Sequence, residues 1–317
     1  NNVYADHGTA ENNEFKATAI EGTKTFTLRP LCANDEAQYP YLDVAGKRGW
    51  FLTYADGQGY TQWALLNGQT ITSGAYRVYK AKQEMYDVYA ALSEEDHTTY
   101  KTALEAANVV YLKTDASLTE VHEATAAMLK AVAPALTNTS VDASALFTNA
   151  DMLGAGRDGW TITGELVGPS WGDFECYHKT LTMTQTQTGL PNGLYTVAFH
   201  GFYRQDKEGE PAPKYTLTSG ENTHSEDVVR MNTLGFGVVS GNGNSGNWTW
   251  DGNTKPNGMQ SAGQALSCDL TETRVNEFFV NNGELTITIS MESTEQWFNF
   301  KGVDIYYRAE SADNLKT

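Results

Sequence analysis

Residues 185–204 read QTQTGLPNGLYTVAFHGFYR, and this stretch decides the fold of the C-terminal half of the chain. A Pro-Asn-Gly turn at 191–193 opens a strand, because proline fixes φ at the first turn position and Asn or Gly tolerates the positive φ that follows. Alternation along a strand sends one set of side chains into a core and the other outward. The apolar side chains of this strand are Leu194, Tyr195, Val197 and Phe199, followed after Gly201 by Phe202 and Tyr203. The pattern is typical of a β-sandwich strand that follows a tight turn.

Composition and charge limit the kinds of molecule that this chain is expected to bind. The chain has 317 residues, 40% of them hydrophobic and 19% charged, and is long enough for two or three domains with cores of their own. A net charge of −17 repels nucleic acid and anionic membranes, so neither is expected as a partner. No run approaches the roughly 20 apolar residues that a membrane span needs.

Three cysteines, Cys32, Cys176 and Cys268, are too few and too scattered for a disulfide framework or a zinc site. Buried thiols are the expected state, and one bridge between Cys176 and Cys268 is the alternative.

Residues 1–72 are expected to form a small β-rich module, in which turn formers separate short strands. The strand candidates are 26–29, 41–44, 49–53 and 62–66. The order of strand, Tyr-Leu-Asp, Gly-rich turn and Trp-x-Leu resembles the repeats of ricin-like or trefoil-like modules. The segment would then be an incomplete domain or a small barrel.

Residues 74–133 change to helical periodicity and are predicted to form a three-helix bundle with short loops. The apolar stripe of the first helix contains Val78, Met85 and Leu92 at heptad spacing. Ser-Glu-Glu-Asp at 93–96 and Ser-Leu-Thr-Glu at 117–120 follow the capping-box pattern, which places a helix start at each. Pro134 ends the helical run, and a polar linker extends to residue 140.

Residues 141–310 alternate again and are predicted to fold as one β-sandwich domain of the jelly-roll type. The strand candidates are 160–163, 174–184, 194–203, 214–218, 278–280, 284–291 and 300–307. Trp160 and Trp297 lie at strand starts and are expected to pack in the core or at its rim. The fold class predicted for the whole chain is mainly β with a helical insert.

Several motifs of this last segment occur together in one known family. They are Phe-Thr-Asn at 147–149, Gly-Trp-Thr at 159–161, Cys-Tyr-His-Lys-Thr at 176–180, Leu-Pro-Asn-Gly-Leu-Tyr at 190–195, Gly-Phe-Tyr-Arg at 201–204, Trp-Phe-Asn-Phe at 297–300 and Val-Asp-Ile at 303–305. Together they resemble the galactose-binding-domain-like jelly rolls, of the carbohydrate-binding-module type, in multidomain secreted or cell-surface proteins of gut Bacteroidetes. The helical segment resembles the small bundles that often precede such modules.

The resemblance implies non-catalytic glycan binding by a secreted or surface-exposed, outer-membrane-associated protein with further domains. It also implies that the chain could be the binding portion of a larger glycoside hydrolase whose catalytic domain lies outside it. Related jelly rolls often hold a structural Ca²⁺ through carboxylate and carbonyl oxygens. Asp151 and Asp304 are the candidate metal ligands here, and no other cofactor is expected.

The loop 241–253 has the residue types that a neutral sugar needs. Aromatic faces stack on the apolar side of a pyranose ring, while polar side chains hydrogen-bond the hydroxyls around it. Trp248 and Trp250 share a face of an extended segment, and Asn247 adjoins them. The alternative is a loop whose tryptophans fold back to cap the sandwich.

A second candidate loop, 168–175, carries Trp171 and Asp173 between turn formers. It offers another stacking platform, or it is a surface turn anchored by the tryptophan. Arg204 lies at a strand end with Asp206 nearby. Its guanidinium either orients a ligand hydroxyl or forms an exposed ion pair.

A separate interpretation of the sequence is that the chain is itself an enzyme. Glycoside hydrolysis needs two carboxylates that face each other across a cleft. The local pairs are Asp173 with Glu175 and Glu292 with Glu295. No serine-hydrolase elbow, zinc-protease motif or phosphate loop occurs. We therefore expect a glycan-binding protein, and the alternative is a structural or adhesin-like spacer module that mediates protein contacts.

Overall fold

The computed structural model describes two compact units, residues 1–76 and 77–317. Backbone and side chains are described for residues 77–152, 157–170, 173–231, 258–259, 262–263, 266 and 271–310. The backbone alone is described at 15–19, 25–30, 42–45, 50–53, 63–64, 73–76, 237–238 and 248–249.

The first unit contains short antiparallel strands, as the alternation predicts. These are β1 (Phe15–Ala19), β2 (Thr25–Pro30), β3 (Leu42–Ala45), β4 (Trp50–Thr53) and β5 (Trp63–Ala64). β1, β2 and β5 form one sheet in the order β1-β2-β5, and β3 pairs with β4. Short strands are thus present in this segment, while its standing as a separate module of residues 1–72 and its likeness to trefoil repeats stay predictions.

Four helices follow. They are α1 (Ser73–Ala90), α2 (Glu94–Thr99), α3 (Lys101–Leu112) and α4 (Leu118–Val132). Both capping boxes are present: Ser93 caps α2 with Asp96 in return, and Ser117 caps α4 with Glu120 in return. The start of α4 is therefore set by local hydrogen bonds that the sequence already shows.

The predicted three-helix bundle is not confirmed, because the second predicted helix is divided. Tyr100 adopts φ −101° and ψ 17°, which lies outside the helical region and separates α2 from α3. α2 has no buried residue, whereas α3 buries Leu104 and Ala107. Only the second part of this stretch therefore contributes side chains to the core.

Two short 3-10 helices, Ala133–Ala135 and Ser144–Leu146, lie on either side of the first strand that follows, and the other described elements are strands. They are β6 (Val141–Asp142), β7 (Thr161–Gly164), β8 (Val167–Ser170), β9 (Asp173–Tyr177), β10 (Leu181–Thr188), β11 (Gly193–Gln205), β12 (Lys214–Ser219), β13 (Asn222–Asp227), β14 (Val229–Arg230), β15 (Gly237–Val238), β16 (Trp248–Thr249), β17 (Glu272–Val280), β18 (Glu284–Met291) and β19 (Gln296–Arg308). Apart from the β15–β16 pair, they form two sheets.

The two sheets make a β-sandwich. One has five strands in the order β13-β12-β18-β10-β7, and the other has seven, with β14-β11-β19-β9-β8 as its path, β17 beside β11 and β6 beside β19. Phe199 of the larger sheet stacks on Tyr215 of the smaller, with ring centroids 5.5 Å apart. The mainly β fold class is confirmed, and the jelly-roll connectivity stays a prediction.

The stretch that predicts the sandwich forms its central strand. β11 begins at Gly193, directly after the turn, and Tyr195, Val197 and Phe199 are fully buried on its core face. Leu194 points to the other face and is only half-buried. It is therefore not the core residue that the sequence predicts, because the alternation that buries Tyr195 turns Leu194 outward.

The single strand predicted at 174–184 is wrong. His178 has a positive φ of 51°, and its amide donates to the carbonyl of Gln296. The chain turns there, so β9 lies in the seven-stranded sheet and β10 in the five-stranded sheet. Alternation continues through both halves, and the pattern alone does not show the turn between them.

The helices and the sandwich share one hydrophobic core. Its buried residues include Leu129 and Val132 of α4 together with Val141, Leu146 and Ile305 of the β region. The domain boundary drawn near residue 140 stays a prediction. Across the residues described, no helix has both the length and the apolar character to cross a membrane.

Candidate functional site

The outer face of the seven-stranded sheet carries polar side chains near the end of β19, among them Asp304 and Tyr306. On β19, Phe298 and Phe300 point inward and so do Val303 and Ile305. The inward-facing residues of β19 therefore change from even to odd numbers. The cause is a shift in the pairing of β19 with β11, because Lys301 lies opposite His200 whereas Val303 lies opposite Phe199. Gly302 is the extra residue, so this β-bulge re-aims the end of the strand.

The consequence is a cleft beside α1, which we call the α1 cleft. Its volume is about 370 Å³, at the lower end of the range for ligand sites. α1, the segment leading into β6, and the end of β19 form its walls. The lining residues are Lys80, Glu84, Asp87, Thr139, Ser140, Val141, Asp142, Asp304 and Tyr306.

Opposite charges from α1 and the sheet meet in the α1 cleft. Lys80 lies 3.4 Å from Glu84 on the next turn of α1. Burial disfavours the Lys80 charge, but the carboxylates of Glu84, Asp304 and Asp142 outweigh it and raise the pKa of Lys80. Burial, followed by the charge of Asp142, raises the pKa of Glu84 to about 7.

The two sheet carboxylates of the α1 cleft differ in their ionisation. Burial raises the pKa of Asp142, although its side chain accepts a hydrogen bond of 2.8 Å from the Ser144 amide. Burial also opposes ionisation of Asp304, but His200, whose Nε2 lies 2.7 Å from the carboxylate, outweighs it. The pKa of Asp304 falls to about 2, so it is the carboxylate most firmly charged.

Tyr306 is the aromatic wall of the α1 cleft. The Arg274 guanidinium lies over its ring, 5.7 Å from the centroid. Arg274 is itself held by Glu272, with 2.6 Å between Nε and the carboxylate oxygen. The ring is thus supported on one side by a cation that another strand fixes in place.

The structure pairs each candidate calcium ligand with a basic side chain. Asp151 lies 3.0 Å from Arg77, and Asp304 lies against His200. Within the described part of the chain, no group of three His, Cys, Asp or Glu side chains is arranged to hold a metal ion. Each candidate carboxylate thus already has a cationic partner, and a structural calcium ion stays a prediction.

Arg204 belongs to a second cluster at the far end of the same sheet face. Its Nε and one terminal nitrogen donate to Asp206 over 2.6 and 2.8 Å, and its guanidinium lies 4.9 Å from the Trp297 ring centroid. His178 also contacts Asp206, at 2.9 Å. The ion pair expected as the alternative for Arg204 is therefore present.

Tyr177 stands at the edge of this cluster and is 49% exposed. Its ring stacks on His178 with centroids 4.1 Å apart. Tyr177 is not among the site residues predicted from the sequence. The alternation of β9 could have indicated it, because alternation places Asp173, Glu175 and Tyr177 on one face of the strand.

Asp173 and Glu175, one of the two carboxylate pairs considered for hydrolysis, differ in their contacts. Asp173 is fully buried, and Glu175 accepts a hydrogen bond of 2.8 Å from Trp297 Nε1. Trp297 and Trp160 are 3% and 8% exposed, as their predicted packing requires. Cys176 is a buried free thiol whose pKa burial raises to about 11, and such a thiol is inert.

The remaining predicted site residues lie outside the described side chains. Trp171, Asn247 and Trp250 lie outside the described residues, as do Cys32 and Cys268. Trp248 is described only as backbone, in β16, which pairs with β15.

No family model matches the chain, and no curated protein matches it. Among solved structures, the module TmCBM61 in complex with β-1,4-galactotriose matches at 14% identity and a TM-score of 0.32, over 51% of this chain and 98% of that one. The CBM22-1 xylan-binding domain of Paenibacillus barcinonensis Xyn10C matches at 10% identity and 0.21, over 49% and 88%. A Stig cyclase, Fisc, from Fischerella sp. TAU matches at 11% and 0.27, over 55% and 100%. Carbohydrate-binding modules are thus among the matching structures, and at these TM-scores the likeness carries no argument.

Proposed function

We propose that this chain binds glycans without transforming them and that the α1 cleft holds a sugar ring. The observation that carries the proposal is the convergence of the Tyr306 ring with hydroxyl, carboxylate and ammonium groups around one cleft of about 370 Å³. An aromatic surface with a few convergent polar groups is the arrangement that orients a small polar ligand.

The chemistry of the lining suits a pyranose. Thr139 and Ser140 offer hydroxyls that both donate and accept, Asp304 accepts, and Lys80 donates. A sugar hydroxyl can therefore find a partner whichever way its own hydrogen points. Tyr306 supplies the apolar surface for the C–H face of the ring.

The loop 241–253 is a second proposed contact, with Trp248, Trp250 and Asn247 as its binding residues. Trp171 and Arg204 stay proposed contacts of the same kind, whereas Asp173 is fully buried and offers no surface to a ligand. The protein would be secreted or surface-exposed, with further domains, and could be the binding portion of a larger glycoside hydrolase. These parts rest on the sequence motifs alone.

Affinity gel electrophoresis against plant and host polysaccharides, both neutral and amine-bearing, tests the proposal. At least one polysaccharide should retard the protein, and the same gels should be run with Tyr306→Ala, Trp248→Ala and Trp250→Ala. Loss of retardation in Tyr306→Ala supports the cleft, whereas loss confined to the tryptophan variants moves the site to the loop 241–253. If no polysaccharide retards the protein, glycan binding fails and the spacer module becomes the better account.

A further inference from the structure

The charge balance of the α1 cleft is uneven. Four carboxylates line it, from Glu84, Asp87, Asp142 and Asp304, against one ammonium, that of Lys80. Lys80 is engaged with Glu84, and His200 contacts Asp304. Asp87 and Asp142 have no such ion-pair contact among the described residues.

Asp142 is the better defined of these two. In the part of the chain that the structure describes, no basic side chain lies within ion-pairing distance of Asp142 or of the more exposed Asp87. Asp142 is half-buried on β6, and its carboxylate is anchored by the Ser144 amide at 2.8 Å. It thus holds a carboxylate in a fixed orientation at the wall of the cleft, where burial disfavours its charge and an approaching cation would favour it.

We infer that the α1 cleft selects glycans that carry a free primary amine, with the amine against Asp142. The inference rests on the proposed glycan-binding function and adds its substrate class. An ammonium group on a sugar would supply the missing positive charge, and its three donors match a carboxylate. A uronate or sulfate would add a like charge beside these carboxylates, which is unfavourable.

Titration calorimetry with three trisaccharides tests the inference at neutral pH, where the cleft carboxylates carry more of their charge than in acid and a sugar amine is still partly protonated. The β-1,4-linked glucosamine trimer and its N-acetylated form differ only in the amine, and a galacturonic acid trimer adds negative charge. We expect the glucosamine trimer to bind roughly tenfold or more tightly than the N-acetylated form, and the acidic trimer to bind least. The preference should shrink as salt is added.

Asp142→Asn is the decisive variant, because an asparagine oxygen still accepts from the Ser144 amide. It should abolish most of the preference for the amine. Asp158→Asn removes the same charge from an exposed position and should retain the preference, which separates the cleft from the general attraction of a chain of net charge −17.

Two results would overturn the inference: equal binding of the two chitin-type trimers, or a preference that survives Asp142→Asn. Neutral glycan binding without any amine preference would leave the proposed function standing. If a simple diamine bound as tightly as the glucosamine trimer, the sugar ring would contribute nothing, and both the inference and a glycan site in this cleft would fail.

Discussion

At the residue scale, Gly302 determines which side chains of β19 face the α1 cleft. A methyl group at this position would lie 2.0 Å from the Ala150 carbonyl oxygen and 2.5 Å from the Asp151 backbone. The Ala150 carbonyl also accepts the Val303 amide at 2.9 Å. The close approach of these backbones therefore requires glycine at the bulge that sends Asp304 and Tyr306 outward.

Gly302→Ala should destabilise the protein by about 3 kcal/mol, because the obstructing atoms are backbone and cannot turn aside. Denaturant unfolding measures the loss. Gly209→Ala is the control: Gly209 has a φ of +84° but no atom within 4 Å of the added methyl, so its loss is about 1 kcal/mol. Equal losses in the two variants would contradict the packing argument.

Glu84 should make stability depend on pH. Its pKa is about 7 in the folded protein against an ordinary 4.5, so between these values the folded state binds more protons than the unfolded state. The free energy of unfolding should therefore fall as pH rises from about 4.5 to about 7. The decline should be smaller in Glu84→Gln, which has no proton to lose; identical pH profiles would show that Glu84 does not contribute.

At the element scale, the sequence predicts the features that neighbouring residues determine, and it does not predict those that depend on residues far away in the chain. The starts of α2 and α4 follow from four residues each, because a capping box closes its hydrogen bonds within one turn. The break at Tyr100 and the turn at His178 have no such signal. The turn at His178 instead depends on a contact with Gln296, which is more than a hundred residues away in sequence.

Ser117→Ala should cost about 1 kcal/mol of stability through loss of the α4 cap. The Ser117 hydroxyl accepts from the Glu120 amide at 3.2 Å, and the Glu120 carboxylate accepts from the Ser117 amide at 2.8 Å. Thr102→Ala, at an exposed position of α3, is the matched control and should leave the midpoint of unfolding nearly unchanged. A Ser117→Ala midpoint equal to that of the control would mean that the cap does not stabilise α4.

At the scale of the whole molecule, the sequence predicts the fold class but not the α1 cleft. Alternation along β10, β11 and β18 is enough to predict two packed sheets. The cleft, in contrast, joins residues 80–87, 139–142 and 304–306, whose proximity depends on how a helix meets the end of a strand. The tryptophans predict a binding site on the loops, whereas the aromatic ring that lines the α1 cleft is that of Tyr306, on strand β19.

Isothermal titration of the best-retained oligosaccharide into the wild-type protein, Tyr306→Ala and Tyr86→Ala tests the central claim most directly. Tyr86 is an exposed tyrosine of α1 that does not line the α1 cleft, so it controls for the loss of a tyrosine ring. We predict one site per chain, an affinity about tenfold weaker in Tyr306→Ala, and no change in Tyr86→Ala. An unchanged affinity in a folded Tyr306→Ala protein would contradict the assignment of glycan binding to this cleft.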